Sequence, residues 1–337
     1  MARYGPCLDP APMRVLVTGG AGFIGSHVVD RLVEHGNDVV VLDNFSTGRR
    51  ENVHGQAVVR RCDLRSRTLS RVVAEAGPSV VVHAAAQASV SHSVGEPLED
   101  ADVNVLGTVR LLQACGRAGV RTFVYISTGG AAYGDTDAIP TPEEHPLRPT
   151  SPYGVSKVSA EHYVDCFGPL TGMRTVTLRL ANVYGPRQDP AGEAGVVAIF
   201  ASLLLGGKDC VIYGDGHQTR DFVYVGDVAE AVMRAIERQS VTGPINVATG
   251  TETTINALYD RMSRITGSRR PAVHEAGRPG EQRRSALLPT RAGEALGWSP
   301  ATSLDVGLAR TLESLGPAVC SQRQNTLTVA GPERTCP

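Results

Sequence analysis

Tyr153 and Lys157 stand four residues apart in Tyr153-Gly154-Val155-Ser156-Lys157. Two lysines occur among the 33 basic residues, so Lys157 does not follow from lysine abundance. On a helix, such positions share a face about 5–6 Å apart at Cβ. An ammonium there favours the phenolate of Tyr153 and lowers its pKa, making a base for removing a hydroxyl proton. The alternative is a surface pair without chemistry, and what distinguishes the two is a cofactor beside it.

A site for that cofactor is written upstream. Gly19-x-x-Gly22-x-x-Gly25 follows the apolar run Arg14-Val15-Leu16-Val17-Thr18 and opens a helical pattern that reaches about Glu34. In that context the glycines allow a tight turn and close backbone approach to a pyrophosphate. The helix N-terminus, with Phe23 and Ile24 in its first turn, supplies free N–H donors. Asp43 closes the second apolar run, with Asn44 beside it. A carboxylate there accepts from both ribose hydroxyls and repels a 2′-phosphate, which favours NAD over NADP. Asp63-Leu64 follows the third run and is expected to reach the adenine. Ala84 and Ala85, after the fourth, let the backbone lie close to the dinucleotide. A glycine turn without a nucleotide is the competing reading.

These residues need a scaffold. Runs at Val39–Leu42, Ala57–Arg61, Val80–Ala84, Thr122–Ile126 and Thr175–Leu180 read as strands. Helical patterns lie between them near Leu69–Ala76, Val103–Ala118 and Pro152–Phe167. This alternation predicts an α/β fold, a doubly wound parallel sheet covered on both faces. From Asp189 the texture changes. A helix near Gly195–Leu205, the patch Val211–Asp221, a helix after Gly226 and the Gly/Pro/Arg-rich Arg269–Arg284 predict a smaller lobe interleaved with the first. Residues 1–12 and 317–337 are expected to be flexible.

Composition narrows the class. The 337 residues, 42% hydrophobic and 20% charged, suit a soluble globular protein with a sizeable core. A net charge of -1 gives no reason to expect nucleic acid as partner. No segment approaches the length of a membrane span and the start lacks a signal-peptide core, so a cytoplasmic protein is expected. The seven cysteines form no C-x-x-C pair, and exposure is expected for Cys320 and Cys336. That argues against a disulfide framework and a thiolate metal site.

Five segments taken together carry a resemblance: the Gly19–Gly25 fingerprint, His83-Ala84-Ala85-Ala86, Tyr153-x-x-x-Lys157, Asn182-Val183-Tyr184-Gly185-Pro186-Arg187 and Arg220-Asp221-Phe222-Val223-Tyr224. From about Met13 to Leu315 the chain resembles the extended short-chain dehydrogenase/reductase family, in its nucleotide-sugar epimerase and dehydratase branch. Within that branch it is most similar to the bacterial UDP-glucose 4-epimerase group. The resemblance implies a Rossmann-type NAD-binding domain over 13–181 and a smaller α/β substrate-binding lobe over 182–316. It further implies that Lys157 holds the nicotinamide ribose while the Tyr153 phenolate takes a proton from the sugar 4-hydroxyl. The transient 4-keto sugar then rotates and is reduced on its other face, so NAD stays bound and net redox change is zero.

The family often adds a hydroxyl four residues before a Tyr-Gly pair. In Ser127-Thr128-Gly129-Gly130-Ala131-Ala132-Tyr133-Gly134 that position is Gly129, so the expected substitute is Thr128 or, less favoured, Ser127. Related 4,6-dehydratases carry an Asp-Glu pair just after the threonine. Gly129 and Gly130 offer neither acid nor base, so epimerisation is preferred to dehydration.

The resemblance also implies a UDP-sugar, or alternatively a dTDP-sugar, as substrate. Asn182, Arg220 and Arg278 are expected at the diphosphate or nucleoside, since an arginine fork matches phosphate oxygens. Tyr213 is expected against the uracil or, alternatively, in lobe packing. Arg278 has a solvated charge as its alternative. Glu281 is expected at the nucleoside ribose. Ser285, where some relatives carry tyrosine, leaves room for an N-acetyl group. A uronate substrate would need either a cation such as Arg187 or hydroxyl donors such as Ser127 and Thr128, although relatives acting on UDP-glucuronate usually place arginine where this chain has Asp189. A homodimer through a four-helix seam of Val103–Ala118 and Pro152–Phe167 completes the expectations.

Overall fold

β-Branched runs separated by glycines and amphipathic helices build the first half of the chain. The structure is a computed structural model that describes residues 12–190, 195–277 and 282–327. In chain order its elements begin with β1 (Arg14–Thr18), α1 (Phe23–Glu34), β2 (Asp38–Asp43), β3 (Val58–Arg61), α2 (Leu69–Ala76) and β4 (Val80–His83). Then come α3 (Val90–Gly95), α4 (Pro97–Ala101), a π-helical turn (Asp102–Leu106), α5 (Gly107–Ala118), β5 (Thr122–Thr128), α6 (Gly129–Tyr133) and α7 (Pro152–Thr171). Next are β6 (Arg174–Leu180), β7 (Asn182–Tyr184), α8 (Val196–Leu205), β8 (Val211–Tyr213), β9 (Thr219–Arg220), β10 (Phe222–Tyr224) and α9 (Val225–Glu237). The chain closes with β11 (Gly243–Val247), β12 (Thr253–Thr254), α10 (Ile255–Thr266), β13 (Val273–Glu275), a second π-helical turn (Ala292–Leu296) and α11 (Leu304–Leu327).

Seven strands form one parallel sheet in the order β11-β6-β5-β4-β1-β2-β3. β4 is buried along its whole length and β1 along all but its first residue, as expected for strands covered on both faces. One core lies under α1 and α9, with Val17, Val28, Leu32, Val228 and Val232. The other lies under α2, α5 and α7, with Leu16, Leu111, Phe123 and Val164. Because β1 is flanked by β2 and β4, the strand order reverses there and opens a crevice at the carboxyl ends of the strands.

A third core, with Phe200, Tyr259, Met262 and Leu308, forms the smaller lobe around α8, α10 and α11. The interleaving has a specific form. β11 is the outer strand of the main sheet, and α9 and Trp298 belong to the first core, although all fall in the stretch 182–316. α11 continues to Leu327, past residue 317, where the polar texture of the sequence predicts no element. Its start is packed through Leu308 and Leu312, and helix propagation from a packed start is favourable.

Cys166, on α7, is exposed, which the sequence did not predict; Cys62, Cys115 and Cys210 are buried. Cys320 and Cys336 lie outside the residues whose side chains are described. Among the described residues, no helix is long and apolar enough to cross a membrane.

Candidate active site

The glycine turn sits at the carboxyl end of β1. Gly19 adopts φ +69°, and a Cβ there would lie 2.6 Å from the backbone nitrogen of Ala85. Ala84 and Ala85 are therefore packed directly beneath the turn. At Gly25 a Cβ would lie 2.1 Å from the carbonyl oxygen of Gly19, so only hydrogen lets α1 approach it. Gly22 is the N-cap of α1 and brings no side chain to the first-turn N–H groups of Phe23 and Ile24. These features fit a dinucleotide pyrophosphate: a cradle that a Cβ would fill, and helix donors that no capping side chain claims.

Asp43 does more than the sequence suggests. One oxygen accepts from the Ala21 amide at 2.9 Å and the other from the Phe45 amide at 2.8 Å, so it shapes the turn. Each carboxylate oxygen retains a lone pair for a ribose hydroxyl. Asn44 donates to Asp63 at 2.8 Å. The Arg65 guanidinium grips both Asp63 oxygens and holds that carboxyl well below its usual range. Leu64 is buried, with its side chain against Gly107.

β5 and α7 bring the reacting groups together. Ser151 caps α7 by accepting from the Gly154 amide at 3.1 Å, and Pro152 pre-sets the first helical turn. Tyr153 and Lys157 then fall one turn apart beside the end of β5. The Lys157 ammonium donates to the carbonyl oxygen of Ile126 at 2.7 Å and lies 4.3 Å from the centre of the Tyr125 ring.

The expectation that Lys157 depresses Tyr153 is corrected here. Burial lifts the Tyr153 phenol above its ordinary value, and the Asp100 carboxylate adds to the rise. Burial pulls Lys157 down to about 8, against the Glu161 and Asp100 carboxylates, which raise it. With its ammonium bound to β5, Lys157 leaves the phenol in a low-dielectric setting, where desolvation wins.

The two candidate hydroxyls have different fates. Ser127 donates to Glu161, whose carboxylate pairs with Arg179 at 2.7 Å in the protein interior. Arg179 also donates to the Tyr133 hydroxyl at 2.9 Å and the Glu143 carbonyl oxygen at 3.1 Å. Thr128 caps α6 instead, accepting from the Ala131 amide at 3.4 Å. That bond uses a lone pair and leaves the Thr128 proton available to a ligand. Gly129 is buried under Leu287, and a Cβ on Gly130 would lie 3.6 Å from the Ser285 hydroxyl. Ser285 is thus brought to the end of β5.

The substrate candidates are gathered only in part. Asn182 is exposed at the start of β7, and its amide donates to the Asp221 carbonyl oxygen at 2.9 Å. Arg220 donates to the carbonyl oxygens of Thr219 and Gln282 at 2.8 and 2.9 Å. Tyr213 ends β8, and its carbonyl oxygen accepts from Gln218 at 2.9 Å. Arg187, the candidate cation for a uronate, has φ +67° and is paired with an acid of α1, Asp30, at 2.7 Å. Asp189 pairs with Arg49 at 2.8 Å. Arg278 and Glu281 lie outside the described residues.

Sequence reasoning missed several groups. Glu161 is four residues beyond Lys157, and its recurrence on the helix face of Tyr153 and Lys157 was a readable signal. Asp100 is buried on α4 and accepts from Gln87 and Asn104, each at 3.0 Å. His83 joins Thr18, at 2.7 Å, to Thr108, at 2.9 Å. Thr108 gives its own proton to the Asn104 carbonyl oxygen at 2.6 Å. His83 therefore donates through Nε2 and accepts at Nδ1, a neutral ring, and burial lowers its pKa to about 3. No local pattern marks Asp100 or His83 for these roles, because their partners come from other elements.

The profile of the NAD dependent epimerase/dehydratase family matches residues 15–248. The chain belongs to this family. It is 46% identical over 306 residues to the UDP-glucose 4-epimerase of Mycolicibacterium smegmatis, covering 89% of this chain and 98% of the relative. The UDP-glucose 4-epimerase of Thermotoga maritima, solved with UDP-glucose, superposes with a TM-score of 0.88 at 45% identity, covering 90% of this chain and 99% of that one. The Thermus thermophilus UDP-glucose 4-epimerase, solved with NAD, gives 0.84 at 45% identity, covering 90% and 98%.

Proposed function

We propose that this chain is an NAD-dependent 4-epimerase that interconverts UDP-glucose and UDP-galactose. The observation that carries the reading is the arrangement at the end of β5. Lys157, one turn beyond Tyr153 on α7, is bonded to Ile126 of β5, the strand that ends in Thr128, and positions 129 and 130 hold glycine in place of an acid and a base. Glycines cannot assist loss of the sugar 6-hydroxyl, so proton transfer at carbon 4 is the chemistry these residues support.

Gly19, Gly22 and Gly25 would hold the pyrophosphate, Asp43 the adenosine ribose, and Lys157 the nicotinamide ribose. When bound, NAD supplies an oxidant for sugar carbon 4 that is restored within the same turnover. Tyr153 accepts the 4-hydroxyl proton and later returns it. Thr128 donates a hydrogen bond to the same oxygen. For Tyr153 to act as a base, its pKa, raised by burial and by the Asp100 carboxylate, must fall in the loaded enzyme.

Asn182 and Arg220 would take the diphosphate, and Tyr213 the uracil. Serine at 285, where some relatives carry a bulkier tyrosine, favours acceptance of an N-acetylated sugar as a second substrate. The pairing of Arg187 with Asp30 speaks against a uronate.

Apolar side chains are exposed along α3, α4, the first π-helical turn and α7: Val94, Leu98 (85% exposed), Leu106, Val155 and Tyr163. They support a homodimer whose seam includes the first π-helical turn and α7.

Incubation of the purified protein with UDP-glucose should give UDP-galactose without accumulation of NADH. A product that has lost water, or stoichiometric NADH, would sink the proposal.

A further inference from the structure

Gly129 is where a side chain is missing, and something else occupies the space. A Cβ built on Gly129 would lie 2.3 Å from Cδ1 and 2.8 Å from Cδ2 of Leu287, a residue far along the chain. Leu287 is 2% exposed and packs with Tyr133 and Ala248. Its backbone is held on both sides. The Leu287 amide donates to Asp221 at 3.3 Å, the Thr141 amide to the Ala286 carbonyl oxygen at 2.8 Å, and the Leu288 amide to the Thr141 carbonyl oxygen at 2.9 Å. Asp221 is itself buried and also accepts from the Thr249 amide, the Thr249 hydroxyl and the Gly250 amide at 2.9, 2.6 and 2.9 Å. The segment carrying Leu287 is therefore laced to both lobes.

We infer that Leu287 is a positioning residue that seats the Thr128 hydroxyl by filling the side-chain space of position 129. Gly129 is the first residue of α6 and Thr128 is its cap, so pressure on Gly129 fixes the backbone from which the threonine side chain projects. On the other side, Ser127 is tied to Glu161. Of three consecutive positions, one is tied, one is filled by Leu287, and Thr128 between them caps α6 with its hydroxyl oxygen. Gly129 and Leu287 thus form a complementary pair: a side chain at 129 displaces the leucine, and loss of the leucine frees Thr128 to change rotamer. Any ~30° departure from a preferred rotamer misaligns its hydrogen bond. The inference rests on Thr128 being the assisting hydroxyl.

The test is a double-mutant cycle on kcat, with KM and thermal midpoint followed in parallel, using Leu287→Ala, Thr128→Ala and both together. Expected are a roughly tenfold fall in kcat for Leu287→Ala with KM changed less than about twofold, and little further loss when it is added to Thr128→Ala. Equal losses in both backgrounds, or a lower thermal midpoint with unchanged kcat, would overturn the role of Leu287 alone. Near-normal kcat in Thr128→Ala would instead remove the underlying assignment of the hydroxyl, and the inference with it. If Leu287→Ala does not fold, Leu287→Val takes its place in the cycle. Gly129→Ala adds a second route: it should lose kcat beside Leu287 and regain it when combined with the smaller residue at 287. Wild-type turnover in Gly129→Ala alone would overturn the pairing.

Discussion

Lys157 donates to the carbonyl oxygen of Ile126 at 2.7 Å, which fastens the helix that carries Tyr153 to the strand that delivers Thr128. The ammonium is therefore both a tether between α7 and β5 and a charge held in the interior. Its other surroundings are Tyr125 on β5, Glu161 on α7, Asp100 on α4 and His83 on β4.

Tyr153→Phe should lower kcat by about 10²–10⁴ while leaving the retained NAD unchanged. Turnover by epimer separation and the ratio of NAD to protein after gel filtration check the two halves. Wild-type kcat in this variant rules out Tyr153 as the base.

Ser127→Ala and Thr128→Ala should separate stability from catalysis. Without Ser127, Glu161 loses a donor inside a buried ion pair, at a cost of about 1–2 kcal/mol, and kcat should stay within about threefold. Thr128→Ala should lower kcat by about 10–10³ with little change in denaturant midpoint. The reverse ranking of kcat would give the assisting role to Ser127.

The cofactor cradle predicts different outcomes at two of its glycines. A Cβ at Gly25 meets the Gly19 carbonyl oxygen at 2.1 Å, a backbone atom that cannot swing aside, whereas at Gly22 the nearest atom is 3.2 Å away. Gly25→Ala should emerge from gel filtration without NAD, and Gly22→Ala should retain a substantial share. Equal retention by the two variants contradicts the cradle geometry.

His83 should make the protein acid-sensitive. Its pKa is about 3 in the fold, below the usual 6.5, so the unfolded chain binds more protons between those values. The stability it contributes is complete above pH 6.5 and drains as pH falls towards 3. By linkage the loss is about 2 kcal/mol between pH 6.5 and 4.5. His83→Gln should be less stable at pH 7, since Thr18 and Thr108 lose their ring partner, yet show a shallower fall on acidification. Urea midpoints at the two pH values measure this, and parallel slopes would contradict it.

The exposed apolar band predicts association. Leu98→Glu with Val155→Glu should convert a dimer to a monomer in sedimentation at micromolar concentration, because charges cannot be buried in a seam without partners. An unchanged sedimentation coefficient places any interface elsewhere.

The sequence by itself determined the features whose logic is local. A strand followed by Gly19, Gly22 and Gly25 encodes the turn, because backbone conformation and helix N-terminal donors depend on neighbours within a few residues. Tyr153 and Lys157 share a face because of helical periodicity. The parallel sheet, too, was legible from alternating strand and helix patterns, apart from β11, contributed from the far half of the chain. Tertiary structure decided where each polar group spends its hydrogen bonds. Spacing could not show that Lys157 reaches Ile126, that Ser127 is claimed by Glu161, that Arg187 turns to Asp30, or that Leu287 fills the space at Gly129. Those partners are brought together only when burial removes water as a competitor, and each group must then bond to whatever the fold has placed beside it.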